Sequence, residues 1–570
     1  MRRIIKGIVM SAAAVVVPYL CFAQESGNGL LRPTVRRDAL YQEIQEAKPV
    51  TQDEGIKQAG LSSAQKEKVY VKSYAVKGAT LLDRAVIDRI VSHYQDRELT
   101  FAEIRQVADA ITAAYKAQGF LRANATALLQ EIKDGIVVIE VNEPKLGEIT
   151  ITGNKNYTTG FISGHIDVVK QDKALNERAL GRAVMLLNDS PSLRVSTAFK
   201  EGAQPGTTDV VVTVKDASSV PIVLSYDNYG NKLISRNRFN LYIANGSMIT
   251  EGDNLRLSAI TGLDRIDINR YSYGQLNYSM PLDYQGTKGA IYYANTLYDV
   301  GGEYVSYKIN GKANVAGLSI SNPVIRGVRS NLTVKLAFDY KNVYSYMLDV
   351  QKSRDKIRTI GLSVSYNATD SLSGRSAIGL TYYRGINNIA SGTRRGDPLA
   401  SRSYADPEFN KYLFYGSRTQ KISANNSLII KASAQYSMEP LLVAEKFSIG
   451  GATSVRGFTS SALSGDSGYY ASLEFQTSPV FPDVTIKALN NRKIGDMIKF
   501  ALFVDNGGVY RDDVRQSSEK RDEFLTSMGA GIRIFYGPRF SAKIDYSVPE
   551  KDGKYKKANS ETNLQTTISF

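Results

Sequence analysis

A single arginine stands among small residues in "GGATSVRGF" (450–458), with alternating apolar and polar residues on either side. A guanidinium keeps its charge, so a loop that carries one out of water must bring it to a carboxylate, best held by two parallel hydrogen bonds. Two carboxylates follow closely. In "MIKFALFVDNGG" (497–508), Ile498, Phe500, Leu502 and Val504 share one face, which leaves Lys499, Phe503 and Asp505 on the other. In "GDSGYYASLEF" (465–475), Glu474 lies on the polar face of the preceding candidate strand. Gly450, Gly451 and Gly457 give the loop the freedom to fold back sharply. The chemistry on offer is a buried ion pair that places a loop.

Other chemistries find less support. "GDSG" (465–468) is the string around a chymotrypsin-like nucleophile, but a serine needs a histidine in reach. The chain has two histidines, His93 and His165, both far upstream and in no protease-like context. With one cysteine besides, it offers no transition-metal cluster. No catalytic residue, cofactor, metal or nucleotide motif is expected, and the protein reads as no enzyme. The formal charge of +15 invites a nucleic-acid reading, yet no block of five or six like charges occurs. The excess belongs to surfaces or a channel lining, with no nucleic-acid partner.

These residues need a frame. The chain begins "MRRIIKGIVMSAAAVVVPYLCFAQ", a basic start, an apolar run and small residues at Cys21 and Ala23. That predicts a signal peptide over 1–23, and Leu20 before Cys21 argues against a lipoprotein. Its loss removes the cysteine along with Arg2, Arg3 and Lys6, taking the formal charge from +15 to +12. Residues 24–67 read as a weak amphipathic helix in "RRDALYQEIQEAK" (36–48), stopped by Pro49, followed by a linker.

From 68 the pattern sharpens into two similar units, 68–143 and 144–216. The first has a strand "VYVKSYAVKG" and a helix with Leu82, Val86 and Ile90 four apart. A second helix opens with the capping box Thr100/Glu103, buries Phe101, Ile104, Ala108, Ile111 and Tyr115, and ends at Gly119. Two strands flank the turn Lys133-Asp134-Gly135. About 75 residues on, "LGEITITGN" and "TTDVVVTVKD" repeat this grammar. Over 217–570 the helical period gives way to a period of two, as in "RFSAKIDYSV", "NRFNLYIAN", "DNLRLSAI" and "TNLQTTISF". Such a length with no domain boundary fits a closed membrane barrel, because backbone groups in lipid must pair internally. The fold class is therefore α+β repeats followed by a membrane all-β barrel of about sixteen antiparallel transmembrane strands, with an in-folded loop around 445–465.

The βααββ repeats resemble polypeptide-transport-associated (POTRA) domains. "VRGF" (Val455, Arg456, Gly457, Phe458) with "FVDNG" (Phe503, Asp505, Gly507) resembles the paired signature of the outer-membrane protein assembly and secretion superfamily. There the loop after the eleventh strand enters the barrel and its Arg meets the Asp of the second motif. That implies Arg456 paired with Asp505, with Glu474 as a second partner. "DNYGNKLISRNRF", "YSMPL" (278–282) and "KFSIGGATSVRGF" are similar to the two-partner secretion transporters of that superfamily, the TpsB or haemolysin-activator type. The resemblance implies a pore in the outer membrane, in contact with its lipid, with periplasmic POTRA domains. The pore would export one large, mostly β-helical exoprotein (a TpsA-like adhesin or haemolysin) recognised first by the POTRA repeats. It also implies a pore-plugging helix, for which 36–48 is the candidate. The terminal Phe570 resembles the signal read by the barrel-assembly machinery. An insertase of the same superfamily is the alternative, but those usually carry three or more POTRA units and two fit here.

Overall fold

The computed structural model describes residues 68–570 except 129, 131, 144, 170–173, 217–219, 265–270, 387–388, 488–490, 513–519 and 551–558. The signal peptide, the candidate plug helix and the linker lie outside the described residues. The chain divides into two compact bodies at 218/219.

The first body holds the two repeats. In the first, β1 (Lys68–Val71) pairs with β3 (Arg97–Thr100), and β2 (Ser73–Lys77), β4 (Asn124–Ala127) and β5 (Ile136–Asn142) form a sheet in the order β2-β5-β4. The single strand expected over "VYVKSYAVKG" is thus two strands in two sheets, broken at Lys72. Helices α1 (Arg84–Ser92) and α2 (Phe101–Gln118) cover the sheet. At α2 the Thr100 side chain accepts from the Glu103 amide and Glu103 reaches back to the Thr100 amide, the reciprocal cap its spacing implies. The helix ends at Gly119, left-handed at φ 104°. Phe101, expected in the core, is 36% exposed, because it is the first helical residue after the cap. In α1 the buried pair is Ile87 and Val91, one position later than the stripe through Val86 and Ile90.

The second repeat has β6 (Lys145–Thr152), α3 (Thr159–Ile166), α4 (Glu177–Asn188), β7 (Leu193–Glu201) and β8 (Thr207–Asp216), with sheet order β6-β8-β7. As β2 runs parallel to β5, so β6 runs parallel to β8. Gly78 and Gly153 mark the equivalence: φ is +80° and +86°, and a Cβ would strike the carbonyl oxygens of Val141 and Val214 at 2.4 and 2.5 Å. A carboxylate ends each unit. Glu143 accepts from the amides of Thr80 and Leu81 at 2.6 and 2.8 Å. Asp216 accepts from those of Lys155, Asn156 and Tyr157 at 2.8, 2.5 and 2.9 Å. Each unit closes on its own apolar core, built around Ile87, Ile111, Tyr115 and Ile139 in one and Ile162, Leu175, Leu187 and Val212 in the other.

In the second body sixteen antiparallel strands form a closed barrel, the first (Ile222–Asp227) pairing with the last (Glu561–Ser569). Period-two burial sets its faces. In the thirteenth strand (Ile498–Tyr510), Phe500, Leu502 and Val504 are exposed on the outside, while Ala501, Phe503 and Asp505 are buried inside. In the fifteenth (Phe540–Pro549), Ile544, Tyr546 and Val548 face out and Asp545 and Ser547 face in. No helix among the described residues is long and apolar enough to cross a membrane. The connection between the eleventh strand (Asn426–Ser437) and the twelfth (Ser467–Thr477) folds back as a ribbon, Phe447–Ile449 against Leu463–Gly465.

Candidate functional site

The tip of that ribbon is built by its glycines. Gly450 and Gly451 have φ of 107° and 97°. Added Cβ atoms would lie 2.6 Å from the Thr459 carbonyl oxygen and 2.9 Å from the Ser460 Cα, so no side chain fits. Val455 and Phe458 seat the tip in an apolar cluster with Phe447, Ile449, Leu463, Val509 and Leu525. Gly507 on the thirteenth strand is bare because a Cβ there would lie 2.9 Å from the Tyr469 carbonyl oxygen and 3.1 Å from Val455 of the tip.

Between Val455 and Phe458 the chain presents Arg456, which is 3% exposed. Its Nε and Nη2 donate to the two oxygens of Asp505 at 2.7 and 2.9 Å, the two-pronged contact, and its own amide donates to Asp505 at 3.1 Å. Nη1 donates to Glu474 at 2.8 Å and Asp545 at 3.2 Å, and Nη2 to the Ser472 hydroxyl at 3.3 Å. The guanidinium lies 3.3 Å from the centroid of the Phe503 ring, a cation–π stack. A Cβ on Gly529 would lie 2.3 Å from that ring, so the glycine makes room for it. The carboxylates are shared: Arg533 binds both oxygens of Glu474 at 2.9 Å and Asp545 at 2.6 Å, and Lys543 reaches Asp545 at 2.9 Å. One loop cation thus enters an ion network drawn from the twelfth to fifteenth strands.

The base of the loop is held separately. Glu445, 2% exposed, pairs with Lys341 of the seventh strand (Ser330–Met347) at 3.0 Å and Lys411 of the tenth (Asn410–Lys421) at 2.7 Å. Gln435 donates to the backbone carbonyls of both Glu445 and Asp466, at 3.0 and 2.9 Å. Asp466 pairs with Arg402 and accepts the Leu441 amide at 2.7 Å. The loop's two ends are therefore stapled to the wall and to each other, ten or so residues from Arg456.

A sequence profile described as "Haemolysin secretion/activation protein ShlB/FhaC/HecB" matches residues 206–534, and one described as "POTRA domain, ShlB-type" matches 69–144. The chain belongs to this family. Its members are two-partner secretion transporters of the outer membrane that export exoproteins, with their POTRA domains in the periplasm. Among similar proteins, "Heme/hemopexin transporter protein HuxB" of Haemophilus influenzae (strain 86-028NP) is 23% identical over 472 residues, 81% of this chain and 80% of the relative. The solved structure "CdiB from Escherichia coli" superposes with a TM-score of 0.74 at 19% identity, covering 95% of this chain and all of that one. BamA from Haemophilus ducreyi lacking POTRA domains 1–3 is a weaker match in fold, with a TM-score of 0.52 at 14% identity, covering 88% of this chain and all of that one.

In this transporter the "GDSG" string has a structural explanation. Asp466 anchors the loop base, and the Ser467 hydroxyl accepts the Ser437 amide at 3.0 Å. His165 is buried in the second repeat against the Phe161 carbonyl, and His93 sits at the end of α1. Phe570 closes the chain beside the first strand, its amide donating to the Ile222 carbonyl at 2.9 Å and its side chain 72% exposed. Sequence reasoning missed Ser472, Arg533 and the Glu445 anchor, and it met Lys543 and Asp545 only as polar-face residues of "RFSAKIDYSV", with no part in the site.

Proposed function

We propose that the barrel is the export pore for one large, mostly β-helical exoprotein of the adhesin or haemolysin class, and that the POTRA units recognise it first. The in-folded loop is the resting constriction, held by Val455, Arg456, Gly457 and Phe458 against Phe503, Asp505, Gly507 and Glu474. The observation that carries this reading is Arg456, a fixed charge on a loop tip that meets three wall carboxylates at once. Such a contact holds a loop firmly, yet it is made of parts that can exchange partners when the pore fills. The transporter carries out no catalysis and needs no cofactor. Phe570, exposed on the barrel's outer side, is the signal that the barrel-assembly machinery reads. The test is secretion of a co-expressed exoprotein of that class. Removing residues 68–143 abolishes its export while a heat-modifiable barrel still accumulates; normal export by that deletion would refute substrate recognition by the POTRA units.

A further inference from the structure

The first strand enters from the periplasmic side and its neighbours alternate in direction, so the connections from even to odd strands lie at the periplasmic mouth. Most are tight: 327–329, 370–373, 422–425 and 537–539 need three or four residues. The connection between the twelfth and thirteenth strands, 478–497, is the outlier at twenty. Its described residues are folded rather than slack. The Ile494 amide donates to the Val484 carbonyl at 2.8 Å and the Gly495 amide to the Pro482 carbonyl at 2.8 Å, and Thr485–Ile486 pairs with Arg492–Lys493.

The fold presents an apolar tip, "SPVFP" (478–482). Val480 is 87% exposed, Phe481 72% and Val484 50%. Pro479 and Pro482 bracket the first two and stiffen them. The tip rises from strands whose outer faces meet lipid through Leu473 on one side and Phe500 and Leu502 on the other. The ribbon leans the same way: the Arg492 guanidinium lies 5.0 Å from the centroid of the Tyr536 ring. Tyr536 shares the outward parity of the exposed Met528 and Ile532 on the fourteenth strand (Asp522–Tyr536). Beside the tip stand Lys487, Arg492 and Lys493, the last paired with Asp483 at 2.8 Å.

We propose that this connection is a membrane anchor: Val480 and Phe481 insert into the periplasmic leaflet, and the neighbouring cations meet its anionic phosphates. Bulky apolar side chains capped by basic residues are what the headgroup boundary accepts. The outer surface of the barrel supplies the continuity, since the tip extends its lipid-facing band. The anchored strands are the twelfth and thirteenth, which carry Glu474 and Asp505, so the anchor braces the stretch of wall that receives Arg456.

The chain contains no tryptophan, so Phe481→Trp makes a single reporter at an exposed site. The full-length variant is reconstituted in phospholipid vesicles containing an anionic lipid, and Leu121→Trp, at a 52% exposed position of the first POTRA unit, serves as the aqueous control. Heat-modifiability of both variants confirms a folded barrel. The anchor predicts blue-shifted emission for Phe481→Trp, strong quenching by brominated acyl chains and weak quenching by acrylamide, with the reverse for Leu121→Trp. Emission like that of the control would overturn it. So would protection that appears only when the exoprotein is added, which would make the tip a protein-docking site.

Discussion

The two bodies use carboxylates in opposite ways. In the two α+β repeats Glu143 and Asp216 accept backbone amides from a loop whose course an apolar core has already fixed. In the barrel, Asp505, Glu474, Asp545 and Glu445 meet side-chain cations, and the loop they hold has only a small apolar cluster of its own. A carboxylate that completes a packed turn is an increment of stability. One that holds a cation on a loop inside a pore decides where the loop sits. Loss of charge in the lumen should therefore displace a part, and in the α+β repeats it should only loosen one.

The largest effect is expected at the loop base. Glu445→Gln leaves Lys341 and Lys411, 2% and 4% exposed, without their carboxylate. A stranded buried charge costs on the order of 3–5 kcal/mol. Thermal unfolding of the purified barrel should drop sharply, and adding Lys341→Met with Lys411→Met should recover most of the loss. If Glu445→Gln behaves like a surface change, the contrast between the bodies fails.

Next comes the tip's backbone. Gly457 has φ +89°, and a Cβ would sit 3.3 Å from the Pro549 nitrogen and the Ser547 Cβ. Gly457→Ala should cost on the order of 1–3 kcal/mol in strain. Because the strand ladder is untouched, the barrel should assemble at normal levels while secretion falls. Equal losses of both would place the damage in folding rather than in the loop. Arg456→Lys, which keeps the charge but not the fork, should retain part of the secretion that Arg456→Ala loses; full secretion by Arg456→Lys would show that planar geometry is irrelevant.

The smallest effect is expected at Asp216. Burial raises its carboxyl, but the amides of Tyr157, Lys155 and Asn156 outweigh this and hold it below the ordinary value. A lowered folded-state pKa adds stability that is present above the unfolded value, about 4, and is lost as pH falls through the folded one. Hydrogen exchange at amides 155–157 in the full-length protein should be faster in Asp216→Asn at neutral pH. The two should converge as the pH drops below about 4. A gap that persists in acid would mean that the charge is not what matters.

Much of this frame was legible because it is periodic or local. Alternation of two residues assigned both faces of the thirteenth and fifteenth strands, and the Thr100/Glu103 cap located α2. The errors were local as well: Asp83 caps α1 by accepting the Ala85 amide, which starts the helix late and moves its buried stripe by one residue. The Arg456–Asp505 pairing was available only through a family resemblance, since 49 residues separate the partners. Nothing in spacing joins Glu445 to Lys341, 104 residues earlier, or Arg456 to Asp545, 89 residues later. Such contacts exist only once the barrel closes and brings distant strands to one lumen.

The most direct test is a double-mutant cycle on Arg456→Ala and Asp505→Ala, reading secreted exoprotein per inserted barrel. Arg456→Ala strands Asp505, whereas Asp505→Ala leaves Arg456 with Glu474 and Asp545, so the first should be the more damaging. The double variant should be no worse than Arg456→Ala alone, because both changes remove one interaction. Fully additive losses would show that the two residues act separately, and that the loop is not held in the pore by this pair.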